Sequence, residues 1–249
     1  MSGVTILGSA FAVASAKQDN SHLLVRSQKH NILIDCGNNP VGKLEKVGVD
    51  LNSITDLVLT HAHADHMGAL PLLLMDMWLR RRSTPLTIHG LAYTIEHARR
   101  LLDVFYWETW MNMYPVEFKL VDERPSVKLI EEDDLLVTAS PVQHSIPNIC
   151  TRFDLFELHH SAVYSSDTAP CANLVKLATG SDVLIQEAAG MGKIHTSPEE
   201  AGKMAAEAGV KRLVLIHYDA GRPAAEQVAE AKKHFNGDVE LAHDLMEID

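Results

Sequence analysis

The chain has 249 residues, of which 46% are apolar and 22% are charged. This length and apolar content are enough to bury a sizeable core, and we expect one domain spanning residues 1–249. With 22 basic and 33 acidic residues the formal net charge is -11, which argues against a surface built to track a phosphate backbone.

The apolar and turn patterns predict three opening antiparallel strands, at residues 4–8, 23–27 and 31–36, with a turn at residues 28–30. A polar helix over residues 41–47 and a short buried strand over residues 57–60 follow. Further helices are predicted at residues 68–81, 92–110, 171–178, 198–208 and 223–235. Strands in the second half are predicted at residues 126–130, 135–140, 152–158, 162–165, 183–187 and 212–217. The second half repeats the strand-then-helix order of the first, which indicates an α/β fold.

The cysteines are scattered and lack Cys-x-x-Cys spacing, so neither a disulfide framework nor a thiolate metal site is indicated. The apolar segment at residues 4–16 lacks the positively charged start of a signal peptide. No run reaches the roughly 18 apolar residues of a transmembrane span. We therefore expect a cytoplasmic protein with no membrane partner.

The densest motif directly follows the strand at residues 57–60 and places three imidazoles and a carboxylate within six residues, at His61, His63, Asp65 and His66. Such a cluster indicates a metal site. While the chain is extended, His61 and His63 point to the same side and can bind one ion together. Asp65 and His66 come where the chain turns into a helix, so they can bind a second ion beside the first.

Three further candidate ligands each end a predicted strand, namely His144, Asp167 and His217. Side chains at the same ends of several strands converge on one rim of a sheet, where open α/β folds place their chemistry. The sequence therefore predicts a dinuclear metal centre.

The order His-x-His-x-Asp-His, then His, Asp and His, resembles the metallo-β-lactamase-fold hydrolases along essentially the whole chain. Within them the chain is most similar to the ribonuclease Z branch, through its Leu-Gly-Ser start, Gln143-His144-Ser145, Gln186-Glu187-Ala188 and His195-Thr196-Ser197. The resemblance implies a four-layer αββα sandwich.

The resemblance also implies the role of each site residue. The ligands of one metal would be His61, His63 and His144. Those of the other would be Asp65, His66 and His217. Asp167 would be a ligand of both metals. The resemblance places Glu187 and His195 near the scissile phosphate, and Asp35 behind a ligating imidazole, as a carboxylate that fixes its tautomer.

This centre is expected to hold two divalent ions, with zinc preferred over manganese or iron. A hydroxide that bridges two such ions is available at neutral pH and would be the nucleophile. Asp65 is also the candidate proton acceptor, and His195, kept protonated and oriented by Glu187, would stabilise charge or protonate the leaving group. The predicted activity is that of a ribonuclease Z-like phosphodiesterase.

Two departures from the branch bear on the substrate. Between His89 and Leu129 there is no Gly-Pro-rich arm of the kind that grips tRNA, and an aromatic stretch at residues 101–110 stands there instead. Gln186 occupies a position where the branch usually has His. With the acidic charge, these departures disfavour RNA and favour a small-molecule or nucleotide phosphodiester. The aromatic residues at 105–110 are interpreted as core or subunit interface, with a substrate-pocket lid as the alternative, and a homodimer is expected from similar proteins.

Other functions stay open, because one fold hosts many reactions. The same hydroxide could attack a carboxylic ester, a lactone or a thioester. An iron-dependent oxidoreductase is less favoured, since diiron relatives place Glu at the position of His63, and a non-catalytic scaffold would not need the complete ligand set. Arg80, Arg81 and Arg82 are interpreted as a solvated helix end, with an anion-docking patch as the alternative.

Overall fold

The computed structural model describes residues 2–248 and contains, within that range, fourteen strands and seven α-helices. The strands are β1 (Gly3–Gly8), β2 (His22–Arg26), β3 (Asn31–Ile34), β4 (Asp56–Val58), β5 (Leu86–Leu91), β6 (Val116–Val121), β7 (Val127–Glu131), β8 (Leu135–Val142), β9 (Asn148–Leu155), β10 (His160–Tyr164), β11 (Val183–Glu187), β12 (Arg212–Ile216), β13 (Asp238–Leu241) and β14 (Met246–Ile248). The helices are α1 (Pro40–Lys46), α2 (Ala64–Met67), α3 (Leu70–Leu79), α4 (Ala92–Asp103), α5 (Ala172–Ala178), α6 (Pro198–Ala208) and α7 (Ala224–Lys232).

The strands form two seven-stranded sheets that have the same pattern of antiparallel and parallel pairs. The first has the order β14-β1-β2-β3-β4-β5-β6 and the second the order β13-β12-β11-β10-β9-β8-β7. In the first sheet the pairs from β14 to β3 are antiparallel and those from β3 to β6 are parallel. In the second sheet the pairs from β7 to β10 are antiparallel and those from β10 to β13 are parallel.

The packing of the sheets produces four layers. Ile6 of the first sheet and Val137 and Phe153 of the second belong to one buried hydrophobic cluster, so the sheets pack face to face. On the other side of the first sheet, Leu33 and Leu74 of α3 belong to a second cluster, called here the outer hydrophobic cluster. Helices α5, α6 and α7 contact the second sheet. This arrangement confirms the predicted αββα sandwich, whereas its description as one domain stays a prediction.

The parallel strands place the candidate site residues at one rim of the sandwich. Asp35 follows β3, the histidine motif follows β4, Asp167 follows β10, Glu187 ends β11 and His217 follows β12. The carboxyl ends of parallel strands lie at the same edge of a sheet, so these side chains share a neighbourhood.

Several predicted elements have different bounds in the structure. The helix predicted at residues 68–81 is α3, which is shorter and begins at Leu70, where Pro71 lies in its first turn and favours a helix start. The short helix α2, which carries Asp65 and His66, precedes the predicted range. The helix predicted at residues 92–110 ends at Asp103, and Tyr106 adopts a left-handed φ of 52° that no α-helix continues through. Trp107 and Trp110 pack against the outer hydrophobic cluster. The apolar spacing that suggested a longer helix therefore comes from this packing and not from helical structure.

Strand bounds also differ from the predictions. The strand predicted at residues 57–60 ends at Val58, and the one predicted at residues 152–158 runs from Asn148 to Leu155. Strands β5, β6, β13 and β14 were not individually predicted. Among residues 2–248 no helix has the length and apolar character needed to traverse a bilayer.

In the arginine cluster at the end of α3, Arg80 and Arg81 are exposed, as expected for a solvated helix end, whereas Arg82 is buried. Arg80 pairs with Glu45 at 2.6 Å. Arg82 is only 5% exposed, and its guanidinium donates to the carbonyls of Ile54 at 2.7 Å and Pro85 at 2.6 Å. Both interpretations of the cluster are therefore wrong for Arg82, because its cation satisfies backbone acceptors where the chain enters β4 and β5.

Candidate metal centre

The first group of side chains at the rim consists of His61, His63, His144 and Asp167. One nitrogen or oxygen atom from each lies within 4.8 Å of the others. His61 Nε2 and His144 Nε2 lie 3.0 and 3.2 Å from His63 Nδ1. The Nδ1 atom of His144 is engaged elsewhere, because it donates to the carbonyl of Ile194 at 3.2 Å. The lone pair on its Nε2 therefore faces the group.

The outward-facing nitrogens of the other two imidazoles are engaged in the same way. Thr60 Oγ1 donates to a carboxylate, so at 3.0 Å it accepts from His61 Nδ1. His63 Nε2 faces Ser145 Oγ at 3.4 Å. A neutral imidazole has one N–H and one lone pair, so each outward hydrogen bond directs the lone pair inward, as in metal sites.

The second group consists of Asp65, His66, Asp167 and His217, again within 4.8 Å of one another. His66 Nε2 lies 3.3 Å from Asp167 Oδ1, and His217 Nε2 lies 3.3 Å from Asp167 Oδ2 and 3.5 Å from Asp65 Oδ2. Asp167 belongs to both groups, so the two groups share one carboxylate.

Asp35 lies behind His66 and orients it. Its carboxylate accepts from the backbone N and Oγ1 of Thr60 and from Nδ1 of His66, each at 2.8 Å. All three residues are buried. With Nδ1 of His66 held by Asp35, its Nε2 faces the second group.

The backbone at the ends of three strands is strained. Asp35, Ser166 and His217 have φ angles of 62°, 53° and 51°, in the left-handed region that side chains usually avoid. Such conformations gather at functional sites, where surrounding contacts hold them. The N–H of His217, for example, donates to the carbonyl of Ser9 at 3.0 Å.

The residues present fit divalent metal ions. Within residues 2–248, the buried atoms His66 Nε2 and Asp167 Oδ1 lie 3.3 Å apart but form no hydrogen bond with each other or with another group, and leaving such atoms unsatisfied costs about 1–3 kcal/mol each. Burial raises the pKa of Asp167, but the positive character of His217 and His66 outweighs it and holds that pKa well below its usual range. Ionised carboxylate and imidazole nitrogen are the donors that suit zinc and related ions.

Glu187 and His195 form a pair beside the two groups. Glu187 accepts from the backbone N–H groups of Thr168 and Thr196 at 2.9 and 3.2 Å and from that of Ala189 at 3.0 Å. It also accepts from His195 Nδ1 at 2.9 Å. Burial lowers the pKa of His195, but the hydrogen bond and charge of Glu187 outweigh it and raise that pKa above its usual value.

The ring of His195 borders both groups. Its centroid lies 5.2 Å from the ring of His144 and 5.7 Å from that of His217. Gln186, by contrast, is buried in β11, where its Nε2 donates to the carbonyl of Glu187 at 3.3 Å.

Sequence reasoning missed three residues at this site. Ser145 and the carbonyl of Ile194 orient imidazoles, and the ring of Phe11 lies edge-on to His217 with centroids 6.4 Å apart. The position of Ser145 next to His144 was an available signal. Nothing in the sequence links Phe11 or Ile194 to the centre, because their loops reach it only through the tertiary fold.

Comparisons with known proteins find relatives along essentially the whole chain. The family model of the beta-lactamase superfamily domain matches residues 30–218. The ribonuclease Z of Methanothermobacter thermautotrophicus is 26% identical over an alignment that covers 100% of this chain and 97% of that protein. The ribonuclease Z of Mycolicibacterium gilvum is 30% identical, with 97% and 94% covered.

Two solved structures have the same fold. The metallo-beta-lactamase fold protein YhfI from Bacillus subtilis superimposes with a TM-score of 0.83 at 23% identity, covering 98% of this chain and 97% of that one. Human tRNase Z, short form, superimposes with a TM-score of 0.78 at 25% identity, covering 99% and 98%.

Proposed function

The chain belongs to the beta-lactamase superfamily, in the branch of the ribonuclease Z proteins, and on that premise we propose that it is a phosphodiesterase with a two-ion centre. The reaction converts a phosphodiester and water into a phosphomonoester and an alcohol. The observation that carries the proposal is the convergence of five inward-facing imidazoles and two carboxylates at one rim, with buried atoms that lack protein partners.

We assign the two groups of side chains to two neighbouring ions, preferably zinc. The ligands of one ion are His61, His63, His144 and Asp167, and those of the other are Asp65, His66, Asp167 and His217. Divalent ions in such a site supply Lewis acidity, which lowers the pKa of water toward about 7 and neutralises charge on the phosphate.

Two residues are assigned to proton transfer. Burial raises the pKa of Asp65, but its hydrogen bond to His217 and the charge of His66 outweigh it, so the carboxylate is ionised and can accept the proton of the attacking water. His195 is held by Glu187 through Nδ1, which leaves Nε2 to donate a proton to the departing alkoxide. Glu187 favours the protonated imidazole that this role needs.

We propose a small phosphodiester as the substrate, in the cytoplasm. The relatives are ribonucleases by name, but the alignment with the Methanothermobacter protein spans 306 positions, whereas this chain has 249 residues, so that relative carries segments that this chain lacks. The net charge of -11 disfavours a long polyanion.

A substrate panel tests this function. The zinc-loaded protein is assayed in parallel on methyl p-nitrophenyl phosphate, p-nitrophenyl acetate, a lactone and a precursor tRNA, with iron-loaded protein assayed for oxygen uptake. We expect turnover of the phosphodiester, its loss in His63→Ala, and its retention in His234→Ala, which changes an exposed histidine. Preferential hydrolysis of the acetate or lactone, or oxygen uptake without hydrolysis, would contradict the proposed phosphodiesterase function.

A further inference from the structure

An apolar cleft of about 480 Å³ lies in the outer helix layer, between α3 and the segment that follows α4. Its walls carry apolar side chains from both sides, namely Pro71, Leu72 and Met75, and Leu101, Phe105 and Trp110. None of these side chains is charged. The chemistry of the walls therefore suits a hydrocarbon group better than a phosphate or a hydrogen-bonding base edge.

The cleft is built into the fold. The ring of Trp110 stacks on Trp78 at 5.3 Å with an interplanar angle of 19°, and Trp78 Nε1 donates to the carbonyl of Met111 at 2.9 Å. Leu72 and Phe105 at its lip are 59% and 52% exposed. Covering such exposed apolar surface is favourable.

The cleft begins one helical turn from the candidate metal centre. Gly68 forms part of its wall, and the N–H of Gly68 donates to the carbonyl of Ala64 at 2.8 Å. Ala64 lies between His63 and Asp65, and one α-helical turn advances the chain by about 5.4 Å. Both Ala64 and Gly68 are exposed, so the solvent-facing positions of this turn carry no side chain larger than a methyl group.

A second contact links the motif to the same wall. Ala62, which separates His61 from His63, packs against the outer hydrophobic cluster, as do Leu101 and Trp110 of the cleft. The loop that presents the imidazoles and the apolar walls thus belong to one packed unit. The cleft therefore adjoins the segment that presents the proposed ligands.

We propose that this cleft binds an apolar substituent, an alkyl chain or an aryl ring, on the phosphodiester substrate. The inference rests on the proposed function and refines its substrate class. A phosphodiester esterified on one side with such a group would place the phosphate at the imidazoles and the hydrocarbon against Leu72, Met75 and Phe105.

The test compares two esters with the same leaving group, methyl p-nitrophenyl phosphate and octyl p-nitrophenyl phosphate. Burial of part of the longer chain should raise kcat/KM by at least about tenfold, mainly through KM. Leu72→Asp should remove that preference and leave turnover of the methyl ester unchanged, because Leu72 is exposed and lies outside the proposed ligand set. Leu79→Asp is the matched control, since Leu79 is 60% exposed on the same helix but does not line the cleft.

A phenyl p-nitrophenyl ester identifies which apolar group fits better. Preference for the octyl or the phenyl ester over the methyl ester, abolished only by Leu72→Asp, supports the inference. Equal kcat/KM for all three esters overturns it and leaves the phosphodiesterase activity standing. A dimer that Leu72→Asp alone dissociates, with ester selectivity unchanged, also overturns it by assigning the cleft to a second copy of the chain.

Direct binding separates this inference from the proposed function. Calorimetry with octyl phosphate and methyl phosphate needs no turnover, so it applies even if no diester is hydrolysed. If octyl phosphate bound more tightly than methyl phosphate to the wild type and to Leu79→Asp, but not to Leu72→Asp, the inference about the cleft would be supported. This would hold even if the activity assay had refuted the phosphodiesterase function. Equal binding of both phosphates to all three proteins would refute the inference about the cleft.

Discussion

Asp35 Oδ2 accepts a hydrogen bond from Nδ1 of His66 at 2.8 Å, and neither side chain is exposed to solvent. This contact makes Nδ1 the donor and leaves Nε2 facing Asp167. It explains why a carboxylate at the end of β3 matters to a site whose proposed ligands lie on other segments.

Asp35→Asn is expected to weaken metal binding by about 10–100-fold, because loss of the carboxylate removes the charge that orients His66. Asparagine tolerates the left-handed φ of 62° at this position, so the backbone is retained. Zinc affinity is measured by competition with a chromophoric chelator. Asp56→Asn is the control, since Asp56 is a buried acceptor for His30 and His89 outside the centre; equal affinities in both variants would contradict the role of Asp35.

His195→Ala is expected to slow release of a poor leaving group by about 10²–10⁴-fold. Methyl phenyl phosphate loses a phenolate that needs protonation, whereas methyl p-nitrophenyl phosphate loses a stabilised anion and should be affected much less. The ratio of kcat values for the two esters is the readout. Equal slowing of both substrates would show that His195 does not act as the acid, and His234→Ala should change neither rate.

Gly37→Ala is expected to destabilise the fold and to disturb the centre. A Cβ at Gly37 would lie 1.9 Å from the carbonyl oxygen of Asp65, which belongs to rigid backbone. Overpacking of this kind costs about 1–3 kcal/mol, and a shift of about 1 Å in Asp65 would reduce kcat roughly 100-fold. Denaturant unfolding and kcat are both measured.

Gly221→Ala is the control for that substitution. Its Cβ would meet only the Asp219 side chain, at 3.1 Å, which can move aside. If Gly37→Ala behaved like Gly221→Ala, the close packing of Gly37 against the motif would be refuted.

His22 is expected to make stability depend on pH. Burial lowers its pKa from 6.5 to about 4, because its ring is fully enclosed and accommodates a charge poorly. Below pH 6.5 the unfolded chain binds a proton that the folded chain does not, so the free energy of unfolding falls as the pH decreases to about 4. The contribution lost over this window is about 3 kcal/mol.

His22→Phe should flatten that part of the pH profile, since phenylalanine fills the volume without titrating. Urea unfolding of both proteins from pH 4 to pH 7 gives the difference curve, in which effects of metal release common to both cancel. A difference that does not vary with pH would contradict the assignment to His22.

Features formed by residues close together in the sequence could be predicted from it, whereas most features formed by distant residues could not. His61, His63, Asp65 and His66 lie within six residues, so the turn from strand to helix alone indicated two adjacent groups. His144, Asp167 and His217 were predicted from the ends of strands, and the structure brings them to the same rim.

Other features depend on tertiary packing. The burial of Arg82 depends on carbonyls contributed by the turn before β4 and by the residue preceding β5. Edge strands such as β13, whose residues are only partly buried, lack the apolar run that made the central strands predictable. The approach of Phe11 to His217 joins residues more than 200 positions apart, a distance over which no local pattern operates.

Anomalous diffraction from crystals of the zinc-loaded protein tests the central claim most directly. Two zinc peaks are predicted, roughly 3.5–4 Å apart, with Asp167 between them, one beside His61, His63 and His144 and the other beside Asp65, His66 and His217. No peak at this rim, or peaks held by other side chains, would contradict the account.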